Sequence, residues 1–309
     1  MRSVFLAAAL LLSPQPLAAQ PRVVADVPPV HALVARVMEG VGAPALIVGP
    51  GASPHGHALK PSDALALAEA DLAFWIGEGL TPWLAGPLAG LGEGARAVEL
   101  MEAPGVALLP LREGARFAAH DHGGHDEGGH GHEDHGHDDH DPHIWLDPAN
   151  AQAMMRAIAA ALGAADPENA ARYAANAEAG VAEIGALAEE IDAALAPVRG
   201  RPFLVFHDAY HYFEARFDIE AAGALAHSDA VSPGPARLAE ARDAIRALGA
   251  VCVFHEPQAA TGLVETATEG TGARIGALDP LGTGLEPGPG LYAGMMRGLA
   301  RGLRDCLGG

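Results

Sequence analysis

One apolar stripe, over residues 166–197, constrains the fold of this chain more than any other feature of its sequence. Apolar side chains recur there at spacings of three and four: Tyr173, Ala177, Val181, Ile184, Leu187, Ile191 and Leu195. This spacing predicts one continuous helix with one buried face. Asp166 is its expected N-cap, Pro167 takes the first helical position, and Pro197 ends it. At ~1.5 Å per residue the helix is roughly 45 Å long, so we expect it to hold two lobes at a fixed separation.

Short β-rich runs alternate with longer Ala- and Leu-rich runs on both sides of this helix. Strands are predicted at 22–25, 46–48, 73–76, 97–100, 203–206, 219–221, 251–254 and 274–278. Helices are predicted between them, notably at 30–39, 62–70, 235–248 and 292–303. This alternation is typical of α/β domains with a mainly parallel sheet. We expect an N-terminal lobe (20–165), the connecting helix (166–197) and a C-terminal lobe (198–309).

A second feature is a tract, residues 120–141, that has no apolar side chain at all. It consists of eight carboxylates, six glycines and eight histidines, which are His120, His122, His125, His130, His132, His135, His137 and His140. Such a segment buries too little surface to offset the entropy of ordering it, so we expect a disordered surface loop. Imidazoles bind divalent metals, and we favour metal capture over a solvated or pH-responsive spacer. Because a flexible chelator binds weakly and unselectively, a specific metal site should lie elsewhere.

Composition narrows the setting in which the chain works. Residues 1–19 have the charge, apolar core and small-residue end of a secretory signal peptide, so we expect export to the periplasm. The formal net charge of −20 argues against nucleic acids and anionic membranes as partners. The two cysteines, Cys252 and Cys306, can pair in an oxidising compartment or remain as buried thiols, and we favour the pair.

Candidate metal ligands follow the predicted strands in both halves of the chain. They are His55, His57, His143, His207, His255, Glu256 and Asp279. Ligands of open parallel sheets bind beyond the carboxyl ends of the strands, so two facing lobes would bring these side chains into one cleft. One such residue alone is more often structural. Their repetition in both lobes predicts a metal site.

Four segments resemble the ligand motifs of the metal-binding cluster of ABC-transporter solute-binding proteins. They are Gly51–His55 with Leu59–Asp63, His143–Pro148, Val205–Tyr210 and Leu278–Gly282. The resemblance covers essentially the whole mature chain, and the histidine-rich insertion before the second motif points to the zinc-uptake, ZnuA-type branch. It implies two α/β lobes joined by one long rigid helix. In that branch, a cysteine pair placed like Cys252 and Cys306 forms a disulfide.

The resemblance also implies a ligand set. His55, His143 and His207 match the metal-binding histidines, and Asp279 matches the carboxylate ligand, with water as the alternative fourth ligand. Manganese-type relatives have a carboxylate where this chain has His207. Three imidazoles suit four-coordinate Zn²⁺ better than Mn²⁺, which favours oxygen-rich sites. We therefore expect zinc.

Five further positions are weighed beside this set. Some zinc-uptake relatives have an acidic residue just before the first histidine, but here Pro54 offers no ligand. His57 is an alternative to His55, and Glu256 is expected to orient a ligand histidine. His211 follows His207 by four residues, a helical chelating spacing, but a strand that ends at His207 would separate the two. His255 is left without a role.

Together these features predict a periplasmic zinc receptor of an ABC importer rather than an enzyme. We expect a monomer that binds Zn²⁺ between its lobes and delivers it to a membrane permease with a cytoplasmic ATPase. An accessory periplasmic metallochaperone is a further candidate partner, and the histidine-rich loop is expected to capture or sense zinc. The alternatives are a manganese or iron receptor of the same family, a periplasmic zinc storage or buffering protein, and a secreted zinc hydrolase. The hydrolase is least favoured, because the chain has no HExxH helix.

Overall fold

The computed structural model of the chain describes residues 20–91, 94–112, 140–226, 229, 232–259 and 261–309. The predicted signal peptide and all but the last two residues of the histidine-rich tract lie outside these described residues. Within them, no helix combines the length and the apolar character needed to span a membrane.

The first lobe is built on a four-stranded sheet. Its strands are β1 (Val23–Ala25), β2 (Ala45–Leu46), β3 (Leu72–Trp75) and β4 (Arg96–Glu99). They lie in the order β2-β1-β3-β4, and every pairing is parallel. The connecting helices are α1 (Pro28–Val37), α2 (Pro61–Glu69) and α3 (Ala85–Ala89). All residues of β1 and β3 are buried, as expected of a parallel sheet covered on both faces.

Two long helices follow, α4 (Pro148–Ala165) and α5 (Ala170–Leu195). The 26 residues of α5 extend roughly 39 Å at ~1.5 Å per residue, so the predicted long helix is present but begins later than expected. Asp166 ends α4 instead of capping α5, since a residue before proline disfavours helical geometry. Its carboxylate accepts hydrogen bonds from Asn169 in the turn and from Tyr173 of α5. The sequence pattern did not reveal α4, whose alanines give little contrast between faces.

The second lobe repeats the architecture of the first. Its strands are β5 (Phe203–His207), β6 (Ala224–Ala226), β7 (Cys252–His255) and β8 (Arg274–Ala277). They lie in the order β6-β5-β7-β8, again all parallel. The helices are α6 (His211–Phe217), α7 (Pro235–Leu248), α8 (Thr261–Thr268) and α9 (Leu291–Gly308). The predicted α/β architecture of two lobes and one long helix is confirmed.

One predicted strand, at 219–221, is wrong. Asp218 adopts a left-handed conformation (φ 52°) that ends α6. The chain then turns, and Ile219 and Ala221 fill the core as buried side chains. The strand itself lies three residues further on, at β6. The apolar pattern there reported burial and not strand pairing.

A single hydrophobic core runs through both lobes. It includes Phe74 of β3, Phe254 of β7 and the buried stripe of α5, and α5 packs against α1, α4 and α9. A smaller core lies under α2 and α3, and another under α7 and α8. Each sheet is therefore covered on both faces, and the lobes share their central layer. The predicted cysteine pair is present as a disulfide that ties β7 to α9.

Candidate metal site

The first lobe contributes His55 from the loop between β2 and α2. The loop is anchored where Trp83 Nε1 donates a hydrogen bond to the Pro54 carbonyl (2.7 Å). Ser53 Oγ donates to Asp229 Oδ1 of the second lobe (2.7 Å). Among the described residues, the buried Nε2 atom of His55 has no hydrogen-bond partner. This ring therefore presents a free nitrogen to the cleft.

His143 is held rigidly just before a short 3₁₀ helix, Ile144–Leu146. Asp141 Oδ1 lies 2.6 Å from His143 Nδ1 and also accepts the His143 backbone N–H (3.0 Å). Trp145 Nε1 donates to the Pro280 carbonyl of the other lobe (2.8 Å). Because its Nδ1 faces a carboxylate, the ring directs Nε2 into the cleft.

His207 is the last residue of β5. Its Nδ1 lies 2.8 Å from Glu256 Oε1, an ion-pair distance, although the angle is not that of a hydrogen bond. Tyr210 Oη donates to the same Glu256 oxygen (3.1 Å). Glu256 thus occupies the place expected of a residue that orients a ligand histidine, and Nε2 of His207 also faces the cleft.

The three imidazoles converge on one point. One ligand atom from each of His55, His143 and His207 lies within 4.8 Å of the others. The Nε2 atoms of His143 and His207 are 3.4 Å apart. Tetrahedral zinc with Zn–N bonds of ~2.0–2.1 Å separates two ligand nitrogens by about 3.3 Å. The pair therefore already has the spacing of two corners of a zinc tetrahedron.

The space between the rings is small. A cavity of about 10 Å³ lies there, and its lining includes the three histidines, Trp145, Asp229 and Glu256. This volume holds about one water-sized particle. The site thus has room for a single ion and none for an organic molecule.

Burial and charge divide the protonation states of the rings. Burial, and then the neighbouring histidines, lower the pKa of His55 and of His143 to about 3. Burial also opposes the charged form of His207, but the adjacent Glu256, together with the charges of Asp229 and Asp208, outweighs it and raises the pKa of His207 to about 9. At neutral pH two rings are neutral and ready to ligate, while His207 carries a proton that a metal must displace.

Asp279 lies outside this group of ligand atoms. Its carboxylate instead accepts hydrogen bonds from the backbone N–H groups of Leu281, Gly282 and Thr283. The carboxylate thereby caps the turn after β8, whose Pro280 carbonyl binds Trp145. The structure therefore does not bring the expected fourth ligand to the three histidines.

The other candidate histidines that the structure describes also lie outside the group. The His57 ring packs on Trp83 (centroids 5.1 Å apart) and lies 3.5 Å from Asp63. His211 begins α6 and so shares no helix face with His207, which ends β5. His255 Nδ1 lies 3.3 Å from the Glu256 carbonyl. Of the loop histidines only His140 is described, in an antiparallel bridge with Pro110.

Two acidic residues of the site were not singled out from the sequence. Asp141 is one of eight carboxylates in the histidine-rich tract, and only its position two residues before His143 distinguishes it. Asp229 follows β6 in a segment without a motif. No sequence signal identifies it, since its approach to Ser53 depends on how the lobes meet.

Comparisons with known proteins identify the family that the chain resembles. Residues 23–306 match the family model ZnuA, described as zinc-uptake complex component A, periplasmic. The chain is 46% identical over 304 residues to the high-affinity zinc uptake system protein ZnuA of Brucella abortus, covering 92% of this chain and 91% of that protein. It is 45% identical over 325 residues to the protein of the same name from Paracoccus denitrificans, covering 99% and 98%.

Solved structures support the fold. A crystal structure of ZnuA superposes with a TM-score of 0.76 at 22% identity, covering 94% of this chain and 100% of that one. A zinc-bound deletion mutant of ZnuA gives a TM-score of 0.72 at 23% identity, covering 94% and 98%.

Proposed function

Since this chain belongs to the ZnuA family, the periplasmic component of zinc-uptake complexes, we propose that it is a receptor that binds Zn²⁺ through His55, His143 and His207. The observation that carries the proposal is the convergence of the three rings, with two Nε2 atoms already 3.4 Å apart. Zinc is the bound cargo, taken up and released again.

The donor set supports zinc over manganese or iron. Three neutral imidazoles are borderline-soft nitrogen ligands that suit tetrahedral Zn²⁺, whereas Mn²⁺ favours oxygen ligands at higher coordination number. The ligand group of the described residues contains histidines alone. The cavity of about 10 Å³ also argues against a zinc hydrolase, because an ester or peptide would not reach the ion.

The partners follow from the family. An ABC-type permease with a cytoplasmic ATPase would accept the ion in the periplasm, and an accessory metallochaperone would be an additional source of it. We propose that the receptor acts as a monomer. The core shared by both lobes supports release by small displacements of the ligand loops instead of a wide hinge opening.

We propose that the histidine-rich loop captures zinc for this site. The described segment that precedes it is joined to its last two residues: Pro110 bridges His140, and Asp141 N–H donates to the Leu109 carbonyl (2.9 Å). Asp141 in turn contacts His143. Metal held by the loop would thus lie a short chain distance from a ligand of the site.

Chelator-competition titration of the mature protein with Zn²⁺ and Mn²⁺ tests the site. We expect one tight zinc site that Mn²⁺ does not occupy. His55→Ala, His143→Ala and His207→Ala should each weaken zinc binding by more than about 100-fold, since loss of an outer partner alone costs 10–100-fold. His57→Ala is the matched control: a histidine two residues from His55, outside the ligand group, whose loss should leave affinity unchanged.

Deletion of residues 120–139 tests the loop and retains the Pro110–His140 bridge. The deleted protein should keep the tight site but support less zinc uptake when zinc is scarce. If tight binding disappears with the loop, the three-histidine site is wrong and the chain is a storage or buffering protein. If uptake is unchanged under scarcity, the capture role is wrong.

A further inference from the structure

A carboxylate that belongs to no sequence motif also lines the cavity between the three histidines. Asp229 lines the same small cavity as His55, His143 and His207. It does not belong to the ligand group itself, whose atoms lie within 4.8 Å of one another. It is therefore close enough to face a bound ion but set back from the position of a direct ligand.

Electrostatics place Asp229 on the same cavity. Burial dominates the pKa of each of the three imidazoles, and the negative charge of Asp229 shifts all three toward the protonated form. A charge that acts on all three rings lies near the point where they converge. A cation at that point would be attracted by the same charge.

Each of the other carboxylates near the cavity contacts a ligand histidine or its own turn. Glu256 contacts His207 and accepts a hydrogen bond from Tyr210. Asp141 contacts His143 through its Oδ1. Asp279 caps the turn at 281–283. Asp229 Oδ1 accepts from Ser53, and among the described residues no hydrogen bond engages Oδ2. Asp141 Oδ2 and Glu256 Oε2 also lack a hydrogen-bond partner among the described residues, but both carboxylates contact a ligand histidine through their other oxygen. Asp229 instead contacts Ser53, and its second oxygen can accept a hydrogen bond from a molecule in the cavity.

We propose that Asp229 completes the site by accepting a hydrogen bond from a water molecule in the fourth position of the bound zinc. The proposal rests on the proposed function, namely that the three histidines hold Zn²⁺. Tetrahedral zinc with three protein ligands commonly takes water as the fourth. A carboxylate set back from the ion binds such a water, fixes its orientation and offsets part of the charge of the ion.

The position of Asp229 also links the metal site to the contact between the two lobes. Ser53 lies two residues before His55 in the first lobe, and Asp229 belongs to the second. The Ser53–Asp229 hydrogen bond thus fixes the ligand loop of one lobe to the water-binding group of the other. When this bond breaks, the zinc loses its outer partner and His55 loses a restraint, which favours release.

Zinc competition with a chromophoric chelator tests the proposal in Asp229→Asn, Ser53→Ala and Glu168→Gln. We expect Asp229→Asn to weaken zinc binding by about 10–100-fold and Ser53→Ala to weaken it less. Glu168→Gln removes one charge in the exposed turn between α4 and α5 and is the matched control, with no change expected. Melting of the metal-free proteins reports whether each variant is folded.

A Co²⁺-loaded sample separates this role from a merely structural one. Visible absorption of the cobalt centre as a function of pH follows the ionisation of its bound water. Removing a facing negative charge favours hydroxide, so Asp229→Asn should move this transition to lower pH. Unchanged zinc affinity together with an unchanged transition would overturn the role of Asp229.

The outcomes also separate this inference from the proposed function. If the unmodified protein has no tight zinc site, the proposed function fails. A second outcome is that the tight site is present, Asp229→Asn leaves zinc affinity unchanged and Asp279→Asn weakens it. The proposed function then stands, and Asp279 closes the site instead of Asp229. If the Asp229→Asn protein is folded, binds zinc more weakly and shows the cobalt transition at lower pH, the inference is supported.

Discussion

At the scale of single residues, the site depends on carboxylates placed behind its histidines. Asp141 and Glu256 contact the Nδ1 atoms of His143 and His207, which leaves the two Nε2 atoms to face each other. Metal-binding histidines generally have such partners, which fix the ring and increase its basicity. The contact between Glu256 and His207 also makes zinc binding depend on pH, because it favours a proton on His207 in the metal-free protein.

Glu256→Gln should reduce both zinc affinity and the number of protons released on binding. Burial lowers the pKa of His207, but the nearby carboxylates, chiefly Glu256, raise it to about 9, so zinc displaces nearly one proton at pH 7–8. Zinc affinity should therefore rise with pH up to about 9 and then level off. Titration calorimetry in buffers of different ionisation enthalpy measures the protons. Equal release by the variant and the unmodified protein would contradict the assigned role of Glu256.

The predictability of these residues differs by kind. His55, His143 and His207 could be predicted because each lies in a recognisable motif. The local backbone at a strand end or in a loop determines where each ring points. The positions of Asp141 and Asp229 depend on other parts of the chain: Asp141 lies at the base of the loop, and Asp229 is placed where the two lobes meet. The spacing of residues in the sequence predicts neither position. Asp279 shows the converse: its position was recognised, but its carboxylate binds its own turn.

At the scale of elements, α6 joins the second lobe to the segments that flank His143. Partly buried Arg112, at the end of the described segment before the loop, pairs with Asp208 beside His207 and with Glu214 of α6. Arg216 of α6 pairs with Asp147, the N-cap of α4. These ion pairs hold the His143 segment at both ends.

Arg112→Met should destabilise the fold strongly. Removing it leaves Asp208 and the buried Glu214 without their shared cation, and breaking a buried pair costs about 3–5 kcal/mol. Arg156→Met is the control, because Arg156 and Glu178 form an exposed pair worth at most ~1 kcal/mol. Urea denaturation of both metal-free variants measures the difference. Similar losses of unfolding free energy in the two variants would contradict a stabilising role of Arg112.

Elements were predicted best where one residue pattern had one meaning. The stripe of α5 and the parallel strands were recognised from apolar spacing, since burial alone determines those patterns. The Ala-rich α4 and the apolar run at 219–221 were not, because alanine packs on any face and because Ile219 is buried without entering a strand. Tertiary packing decided both.

At the scale of the whole molecule, the shared core limits how far the lobes can move. Apolar side chains of both sheets and of α5 form one continuous cluster, and a wide hinge opening would expose it. Binding should thus change the ligand loops more than the overall shape, in agreement with a receptor that holds and releases one small ion.

Small-angle X-ray scattering of the protein lacking residues 120–139 should show nearly the same radius of gyration with and without zinc. A compact monomer of this length has a radius of about 19 Å. The scattering mass should be that of one chain. A contraction of several ångströms on adding zinc would contradict the rigid arrangement, and a doubled mass would contradict the monomer.

The central claim, that three histidines from two lobes hold one zinc ion, is tested most directly by anomalous diffraction at the zinc absorption edge. Crystals of the protein lacking residues 120–139, grown with one equivalent of Zn²⁺, would provide the data. We expect a single anomalous peak ~2.0–2.1 Å from an imidazole nitrogen of each of His55, His143 and His207. A peak at any other position, or one that contacts fewer than all three rings, would contradict it.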